Sequence, residues 1–377
     1  EQLHTKILLV GYYGRRNTGD DAMLYGMLTL MESCCPCVSV YIPTDTDIVI
    51  PTGVADRVHF IRRTAKEVFA RTRQVDAVFI GGGTILHDHS HKFRYTWTII
   101  RYLLLVVWAK FWAKDVYMVG VGMGPFTTFL GKWLTRIICQ NVDYFTIRDS
   151  QSSETLRALN VPETRFSAAF DLACLLEPNQ IDVVDKTPTL GVSILPYFYG
   201  YGTEEDGDRC LASRIGEAVR YWLDMNEGSC VKLLPFLGID EKDGDLHMAD
   251  ILYREINRPG RVNLVPYSND PRELLGHVSR CTGVITMRYH AAVYAFAVNR
   301  PMLIIDYHPK CRTFAHDIGF PANGILSVEE VMDGLLLNKI DEFWQFPNHY
   351  LGELHVEDAK RMAQLALPPM YKCSVGV

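Results

Sequence analysis

Short, continuous apolar runs alternate along this chain with longer segments whose apolar residues recur every three or four positions. Short apolar runs are typical of strands buried on both faces, and the longer segments are typical of amphipathic helices. The predicted strands are 6–10, 38–42, 75–80, 115–121, 144–147, 190–195, 231–235, 262–264, 284–287 and 301–305. The helices predicted in the second half are 210–225, 272–280, 290–298, 328–337 and 356–367. Because helical segments separate most of the strands, the pattern predicts parallel sheets of the α/β class.

The length of the chain predicts two domains, because 377 residues are too many for one compact core. The segment 177–188 is polar and contains two prolines, which makes it the candidate linker. The predicted domains are therefore 1–176 and 189–345, and a helical tail over 346–377 follows them.

The composition excludes several classes of protein. With 48% hydrophobic and 22% charged residues the chain is an ordinary globular protein. A net charge of -6 argues against nucleic-acid binding, which needs an excess of basic residues. Ten cysteines without a regular framework are typical of a reduced, cytoplasmic protein.

Basic side chains follow two neighbouring predicted strands in the segment 281–320. Arg288 and His290 come directly after strand 284–287, and Lys310 and Arg312 follow strand 301–305. An isolated Arg or Lys after a strand is usually a solvated loop residue. Four basic groups at adjacent strand ends instead predict a pocket for a small dianion such as a phosphate ester.

Two glycine-rich segments follow predicted strands near the start of the chain, at 11–14 and 81–84. Neither has the spacing G-x-G-x-x-G, so a nicotinamide or flavin cofactor is not expected. We interpret them as loops that let a ligand approach the backbone closely. Asp20 and Asp21 follow the first loop, where carboxylates either cap a helix or meet a ligand.

Two polar clusters have a metal interpretation that we do not favour. His87, Asp88, His89 and His91 are closely spaced, but a solvated loop is the more frequent outcome, and no metal is proposed. The segment 240–245 carries three aspartates without the glycine and glutamate of a calcium loop, so it too is predicted to be solvated.

The segment 96–112 is the most hydrophobic in the chain, yet its uninterrupted apolar run is too short to span a bilayer. We favour a buried helix. The alternative is an interfacial helix, because basic and aromatic residues alternate over 92–114 in a way suited to a membrane surface.

Five motifs resemble, in order, those of the polysaccharide pyruvyl transferase family. They are GYYGRRNTGDDA (11–22), GGGTILHD (81–88), VGVGMGP (119–125), TIRDSQS (146–152) and MRYHAA (287–292). The resemblance runs from residue 7 to about 320. It implies two Rossmann-like domains facing across a cleft, a glycosyltransferase-B-like fold, with the tail crossing back to the first domain.

The resemblance also implies an activity, which is transfer of pyruvate from phosphoenolpyruvate to a sugar as a cyclic ketal, without metal or other cofactor. The acceptor would belong to a polysaccharide or a lipid-linked oligosaccharide precursor, which would place the protein in the cytoplasm or at the inner face of the membrane. The catalytic candidates are His290 as the proton donor, Arg288 and Lys310 as cations and Asp20 as the group that activates the acceptor. The substrate-binding candidates are Arg148, Arg312, Tyr289, Gly14, Asn17, Thr18, Gly19, Gly82, Gly83 and Thr84. On this basis Arg288→Ala and His290→Ala are each expected to abolish activity and leave folding intact.

Two other functions stay open from the sequence. A nucleotide-sugar glycosyltransferase could use the same two-domain fold, since fold alone does not define activity. The other is a non-catalytic subunit that binds sugar or phosphate, although the co-occurrence of Arg148, Arg288, His290 and Lys310 argues against a decayed site.

Overall fold

A computed structural model describes residues 5–88, 93–179, 187–200, 205–239, 242 and 244–371. Within these ranges the chain divides into two compact units. The first unit comprises Glu1–Arg15, Asp20–Leu175 and Glu357–Val377, and the second comprises Arg16–Gly19 and Leu176–Val356. Most of the predicted linker, 180–186, lies outside the described residues.

The first unit is built on a seven-stranded sheet in which all neighbouring strands are parallel. Its strands are β1 (Thr5–Val10), β2 (Val38–Thr44), β3 (Val58–Arg62), β4 (Ala77–Leu86), β5 (Asp115–Met123), β6 (Tyr144–Ile147) and β7 (Phe166–Ala168). The strand order is β3-β2-β1-β4-β5-β6-β7, so the winding direction reverses between β1 and β4. In open parallel sheets such a reversal creates a crevice beyond the carboxyl ends of the strands.

Helices connect these strands and cover the sheet. They are α1 (Thr18–Cys34), α2 (Ala65–Thr72), α3 (Phe93–Phe111), α4 (Phe129–Asn141) and α5 (Ser150–Ala158). The side chains of Thr64, Thr128 and Asp149 accept backbone hydrogen bonds at the starts of α2, α4 and α5. The inner faces of α3 and α4 share one buried core with the central strands. Among the described helices, none has the length and apolar content needed to cross a bilayer.

The second glycine segment lies inside a strand, which differs from its prediction as a loop. Strand β4 continues past Ile80 to Leu86, and Gly81 and Gly83 pair with β5. Gly82 and Gly83 have φ values of +69° and +83°, which a residue with a side chain rarely adopts. The strand therefore bends at these glycines, and hydrogen bonding to β5 carries it on where the sequence pattern indicates an end.

The second unit contains a six-stranded sheet, and its neighbouring strands are also parallel. Its strands are β8 (Thr189–Ser193), β9 (Cys230–Leu233), β10 (Val262–Leu264), β11 (Gly283–Thr286), β12 (Met302–Asp306) and β13 (Ile325–Ser327). The order β10-β9-β8-β11-β12-β13 reverses its winding between β8 and β11. Together the two sheets confirm the predicted α/β class.

The helices of the second unit enclose a core around Trp222, whose ring meets that of Trp344 edge-on at 4.6 Å. They are α6 (Tyr197–Gly200), α7 (Glu205–Met225), α8 (Asp245–Ile256), α9 (Pro271–Ser279), α10 (Tyr289–Ala297), α11 (Pro309–Asp317), α12 (Val328–Met332) and α13 (Leu335–Gln345). The prediction of a single helix over 328–337 is wrong, because Gly334 has a φ of +87° and separates α12 from α13.

The end of the chain from Glu357 onward is grouped with the first unit, and it includes all of α14 (Val356–Ala363) except the first residue. Beyond α14, the backbone carbonyl of Ala366 accepts a hydrogen bond from Thr146 on β6. The ring of Tyr371 packs edge-on against Phe79 of β4 at 5.0 Å.

Candidate active site

Two parallel strand ends in the second unit form the core of the candidate site. Strands β11 and β12 are direct neighbours, with Ile285 paired to Leu303 and Thr286 to Ile304. Each strand leads within a few residues into a helix, β11 into α10 and β12 into α11. The carboxyl ends of both strands and the N-termini of both helices therefore meet at one edge of the sheet, as predicted. The positive end of a helix favours anions.

Arg288 lies at the end of β11 and is held by Asp245, the first residue of α8. Its Nε donates to both carboxylate oxygens of Asp245, at 2.9 and 3.0 Å, and its Nη2 forms a further bond. The side chain of Asp245 is 1% exposed and that of Arg288 is 22% exposed. This two-point contact fixes the plane of the guanidinium while leaving it within reach of solvent.

Asp245 is a candidate site residue that the sequence analysis missed. The prediction of a solvated acidic loop is wrong for Asp245, whereas Asp240 and Asp243 lie outside the described residues. Its carboxylate also accepts the backbone N–H groups of Phe236 and Leu237, at 2.9 and 3.1 Å. These bonds and the guanidinium offset the free-energy cost of burying its charge.

His290 lies in the first turn of α10 against the segment Arg16–Gly19, which is grouped with the second unit. A Cβ atom placed on Gly19 would lie 1.9 Å from Nδ1 of His290, so only glycine leaves the ring where it is. The backbone N–H of Thr18 donates to the carbonyl of Phe236 at 2.9 Å, and Asn17 forms a bridge with Leu237. The segment 236–237 thus links the predicted residues 17–19 to Asp245 and Arg288.

Lys310 lies in the first turn of α11 between two aromatic rings. Its Nζ lies 5.6 Å from the ring centre of Tyr289 and 5.3 Å from that of Tyr307. The backbone N–H of Lys310 donates to Nδ1 of His308 at 3.2 Å, so His308 caps the helix. Tyr289 is buried and also packs edge-on against His290, with 5.0 Å between ring centres. Tyr289 is therefore a structural neighbour of two predicted catalytic residues.

Arg312, a predicted substrate-binding residue, is paired with a carboxylate. Its side chain is 65% exposed and forms an ion pair with Asp306, the last residue of β12. The hydrogen bond to this carboxylate raises the pKa of Arg312, and the two charges offset one another. Arg312 is therefore a weak candidate for holding a phosphate.

Ser193 ends β8 at the winding reversal and was not singled out in the sequence. It pairs with Thr286 of β11, and its carbonyl accepts the N–H of Met287 at 2.8 Å. Its hydroxyl is buried and has no hydrogen-bond partner within the described part of the chain. Buried hydroxyl groups are rarely left unpaired, so Ser193 is a candidate ligand-binding residue.

In the first unit, Arg148 lies beneath the bent strand β4. Its side chain is 2% exposed, its Nη1 donates to Asp171 at 2.9 Å, and its Nη2 donates to Thr84 at 2.9 Å. A guanidinium that is buried and paired in this way stabilises the sheet, and the geometry does not support the predicted anion clamp. Thr84, predicted to bind substrate, is one of its hydrogen-bond partners.

Asp20 and Asp21 both lie in the first turn of α1, but they have different neighbours. Asp20 is buried, and a Cβ atom on Gly83 would lie 2.9 Å from its Oδ1. Asp21 accepts the N–H of Gly14 at 2.8 Å, where the backbone has a φ of +63°. Burial raises the pKa of Asp21 to about 6, against the opposing effects of that hydrogen bond and of Arg63. Asp21 thus anchors the glycine loop, and Asp20 lies beside Gly83.

The predicted residues form one group within each unit. Arg288, Tyr289, His290 and Lys310 lie with 17–19 in the second unit, and Asp20, Gly14, Gly82, Gly83 and Thr84 lie in the first.

Among the described residues no cluster of His, Cys, Asp or Glu could hold a metal. The prediction of a solvated loop is wrong for Asp88, because its buried carboxylate accepts the N–H of Thr128 at 3.0 Å. His89 and His91 lie outside the described residues.

Comparison with known proteins gives the following matches. The sequence profile of the polysaccharide pyruvyl transferase family matches residues 17–309. The amylovoran biosynthesis protein AmsJ of Erwinia amylovora is 21% identical over 287 residues, which cover 72% of this chain and 66% of that protein. The chain thus spans just under two thirds of the length of that curated relative.

Solved structures share the fold at low sequence identity. S. aureus MnaA, solved with UDP, has a TM-score of 0.60 at 10% identity. The match covers 96% of this chain and 94% of the MnaA chain. The UDP-GlcNAc 2-epimerase from Neisseria meningitidis has a TM-score of 0.60 at 9% identity, covering 95% and 96%. HepE of Anabaena, solved with UDP-glucose, has a TM-score of 0.57 at 10% identity, covering 96% and 95%. The glycosyltransferase-B-like fold is therefore confirmed.

Proposed function

Because this chain belongs to the polysaccharide pyruvyl transferase family, we propose that it transfers pyruvate from phosphoenolpyruvate to a sugar, forms a cyclic ketal and releases phosphate. Membership of the family supports transfer of pyruvate to a polysaccharide in general. The observation that carries the finer proposal is the grouping of Arg288, His290 and Lys310 at two adjacent strand ends, each at the start of a helix.

Phosphoenolpyruvate presents a carboxylate and a phosphate on neighbouring atoms, so it needs two cations. Arg288 has the planar fork that pairs with a carboxylate or phosphate through two bonds, and Asp245 sets its orientation. Lys310 supplies a compact charge that Tyr289 and Tyr307 keep at the start of α11. Backbone N–H groups at the two helix starts add to the attraction for the dianion.

The reaction begins with a proton added to the methylene carbon, which makes the adjacent carbon, C2, an electrophile resembling an oxocarbenium ion. One sugar hydroxyl forms a bond to C2 and loses its proton. The bond from C2 to the phosphate oxygen then breaks, and phosphate leaves with the electron pair. A second hydroxyl of the same sugar forms the other C2–O bond, and its proton leaves with the released phosphate. His290 is the proton donor in this proposal, since a histidine changes its charge near neutral pH.

The acceptor is a sugar of a polysaccharide or of a lipid-linked precursor in this proposal, and no metal takes part. Asp20 remains the proposed group that receives the hydroxyl proton. Its burial beside Gly83 supports a defined orientation of its carboxylate. Cations at the site take the part that a metal plays in other phosphate chemistry.

Phosphate release from phosphoenolpyruvate tests the activity directly. The chain is incubated with phosphoenolpyruvate and a panel of free and lipid-linked glycosides, and mass spectrometry detects the gain of a pyruvyl group. We expect His290→Gln to lose turnover by about a hundredfold or more, a typical effect of removing general acid catalysis. The matched control is His316→Gln, an exposed histidine of α11. Wild-type turnover by His290→Gln would contradict the assignment.

A nucleotide-sugar transferase is the second candidate, because HepE is described in complex with UDP-glucose and shares this fold. Thermal shift with phosphoenolpyruvate, UDP-glucose and UDP-GlcNAc separates the two candidates. Stabilisation by phosphoenolpyruvate alone supports the first, and stabilisation by a nucleotide sugar alone supports the second.

A further inference from the structure

Helix α3 exposes an apolar stripe on the side where a surface helix is normally polar. The exposed positions on this side recur every three or four residues. They are Trp97, Arg101, Leu104, Val107 and Phe111, and all but Arg101 are apolar. The opposite face carries the buried residues Ile99, Val106 and Ala109. The buried-helix interpretation of 96–112 is therefore correct for one face only. The other face is exposed to solvent, and its apolar composition is unusual for an exposed helix face.

Helix α4 repeats this arrangement beside α3. Phe129 is 86% exposed, and Trp133, Arg136 and Gln140 continue the same face at helical spacing. Leu130 and Lys132 are exposed next to it. The two helices pack against each other and bury their inner sides in a common core. Successive right-handed crossovers from β4 to β5 and from β5 to β6 place both helices on one side of the sheet, so their outer faces are adjacent.

The apolar side chains are concentrated on this surface. Eight of the 17 exposed large hydrophobic residues in the described part of the chain lie on α3, α4 or the residue that follows α3. The eight are Trp97, Leu104, Val107, Phe111, Trp112, Phe129, Leu130 and Trp133. Apolar residues scattered singly need no explanation, whereas a contiguous group of this size marks a surface that binds something.

The charge of the same surface indicates what it binds. The sequences of α3 and α4 contain no Asp or Glu, although the whole chain has a net charge of -6. Arg101, Lys132 and Arg136 are exposed among the aromatic residues. Lys110 is different, because Asp143 pairs with it and offsets its charge. A second copy of this chain is a poor partner, since a symmetric contact would bring these cations together.

We propose that the outer faces of α3 and α4 bind the surface of a membrane that contains anionic lipids. Tryptophan and phenylalanine are suited to the boundary between headgroups and acyl chains, where their rings are partly buried. Arg101, Lys132 and Arg136 meet the negative headgroups, each contributing about fivefold to the binding constant near the surface. Phe111 and Phe129, the most exposed of the group at 73% and 86%, insert deepest.

This inference extends the proposed function to acceptors carried by a lipid, but the binding itself does not rest on that function. Vesicle sedimentation measures binding without phosphoenolpyruvate or any sugar. If the wild-type protein binds vesicles but transfers no pyruvyl group, only the proposed function is overturned. Transfer to a water-soluble acceptor without vesicle binding would overturn only this inference.

The experiment compares vesicles of phosphatidylcholine alone with vesicles of phosphatidylcholine and phosphatidylglycerol in equal parts. We expect wild type to sediment with the anionic vesicles at least about tenfold more strongly, and added salt to weaken this binding. The triple variant Phe111→Ser, Phe129→Ser and Trp133→Ser should lose about tenfold or more of the binding. The control variant Met225→Ser and Phe346→Ser removes exposed apolar side chains elsewhere and should bind like wild type.

A second variant keeps the inference testable should the triple variant unfold. This variant combines Arg101→Gln, Lys132→Gln and Arg136→Gln and retains the apolar side chains. Its binding should lose both the preference for anionic vesicles and most of the salt dependence. Wild-type binding by either folded variant would overturn the inference. So would the absence of sedimentation with anionic vesicles at low salt. Self-association of the wild type that the triple variant abolishes would assign the surface to a second copy instead.

Discussion

The guanidinium of Arg288 and the carboxylate of Asp245 form a two-point ion pair, and only the arginine is accessible to solvent. Asp245 also accepts two backbone N–H groups from the segment that contacts 17–18. We therefore expect removal of either partner to affect folding and the proposed catalysis together. The expectation that Arg288→Ala leaves folding intact does not fit this geometry, because the truncation leaves a buried carboxylate without its cation.

The first prediction separates the two effects with a double-mutant cycle. We expect Arg288→Met to lower the free energy of unfolding by about 3 kcal/mol, because Asp245 keeps its buried charge. Arg288→Met combined with Asp245→Asn should recover much of that stability, since the neutral amide needs no counter-charge. Neither protein should transfer pyruvate. Urea unfolding and phosphate release measure the two quantities.

Asp245→Asn alone should stay folded and lose about tenfold or more in kcat/KM, because an amide oxygen holds the guanidinium less firmly than a carboxylate. A variant of Asp245 with wild-type turnover and a wild-type unfolding curve would show that the pair has no part in the site.

The second prediction concerns the ring of Tyr307 over the ammonium of Lys310. Tyr307→Leu removes one of the two rings around the cation, and a contact of this kind contributes roughly 1 kcal/mol. We expect the KM for phosphoenolpyruvate to rise about fivefold with a smaller change in kcat, and Tyr307→Phe to behave like wild type. Tyr199→Leu removes an exposed tyrosine of the same unit and is the control. If the Phe variant is as impaired as the Leu variant, the hydroxyl rather than the ring is responsible.

The grouping of Arg288, His290 and Lys310 could be predicted because parallel strands bring their carboxyl ends to one edge of a sheet. That inference needs only the strand pattern and the positions of the charges. Asp245 could not be found in the same way, since it lies 43 positions from Arg288 and begins a helix without a local signal. Its partner is set by tertiary packing, as is the buried pair of Arg148 with Asp171.

The glycines show the same limit of the sequence pattern. The segment 81–84 has the composition of a loop, yet pairing with β5 extends the strand through it. The reverse occurs at Gly334, where the apolar pattern continues but the backbone turns with a φ of +87°. Hydrogen bonding to a neighbouring strand and a left-handed backbone are properties of the folded chain that local composition does not determine.

The third prediction tests the contact between Gly19 and His290. A methyl group at Gly19 would lie 1.9 Å from Nδ1 and 2.3 Å from Cγ of the ring, so the imidazole must move. Gly19→Ala should therefore lower kcat by about tenfold or more, because proton transfer depends on the position of the donor. Gly276→Ala is the control, since a Cβ atom there meets only Pro178 at 4.0 Å.

A double-mutant cycle of Gly19 with His290 identifies the cause of the lower kcat. If Gly19 acts through the ring, the double variant Gly19→Ala and His290→Gln should be no slower than His290→Gln alone. A further loss in the double variant would mean that Gly19 acts by another route, such as direct contact with substrate.

The fourth prediction concerns Asp21, whose carboxylate accepts the N–H of Gly14 in the first loop. Burial raises its pKa from 3.8 to about 6, so the folded chain binds this proton more tightly than the unfolded chain does. The resulting stabilisation is complete below about pH 4 and is lost as the pH rises through about 6. Asp21→Asn has no proton to lose and keeps an oxygen that can accept the N–H. The free energy of unfolding of Asp21→Asn minus that of wild type should therefore rise by up to about 3 kcal/mol between pH 4 and pH 7. Urea unfolding of both proteins across this range measures the difference, and groups that titrate in both proteins cancel from it. A difference that stays constant, or falls as the pH rises, would mean that the folded chain does not favour the protonated form of Asp21.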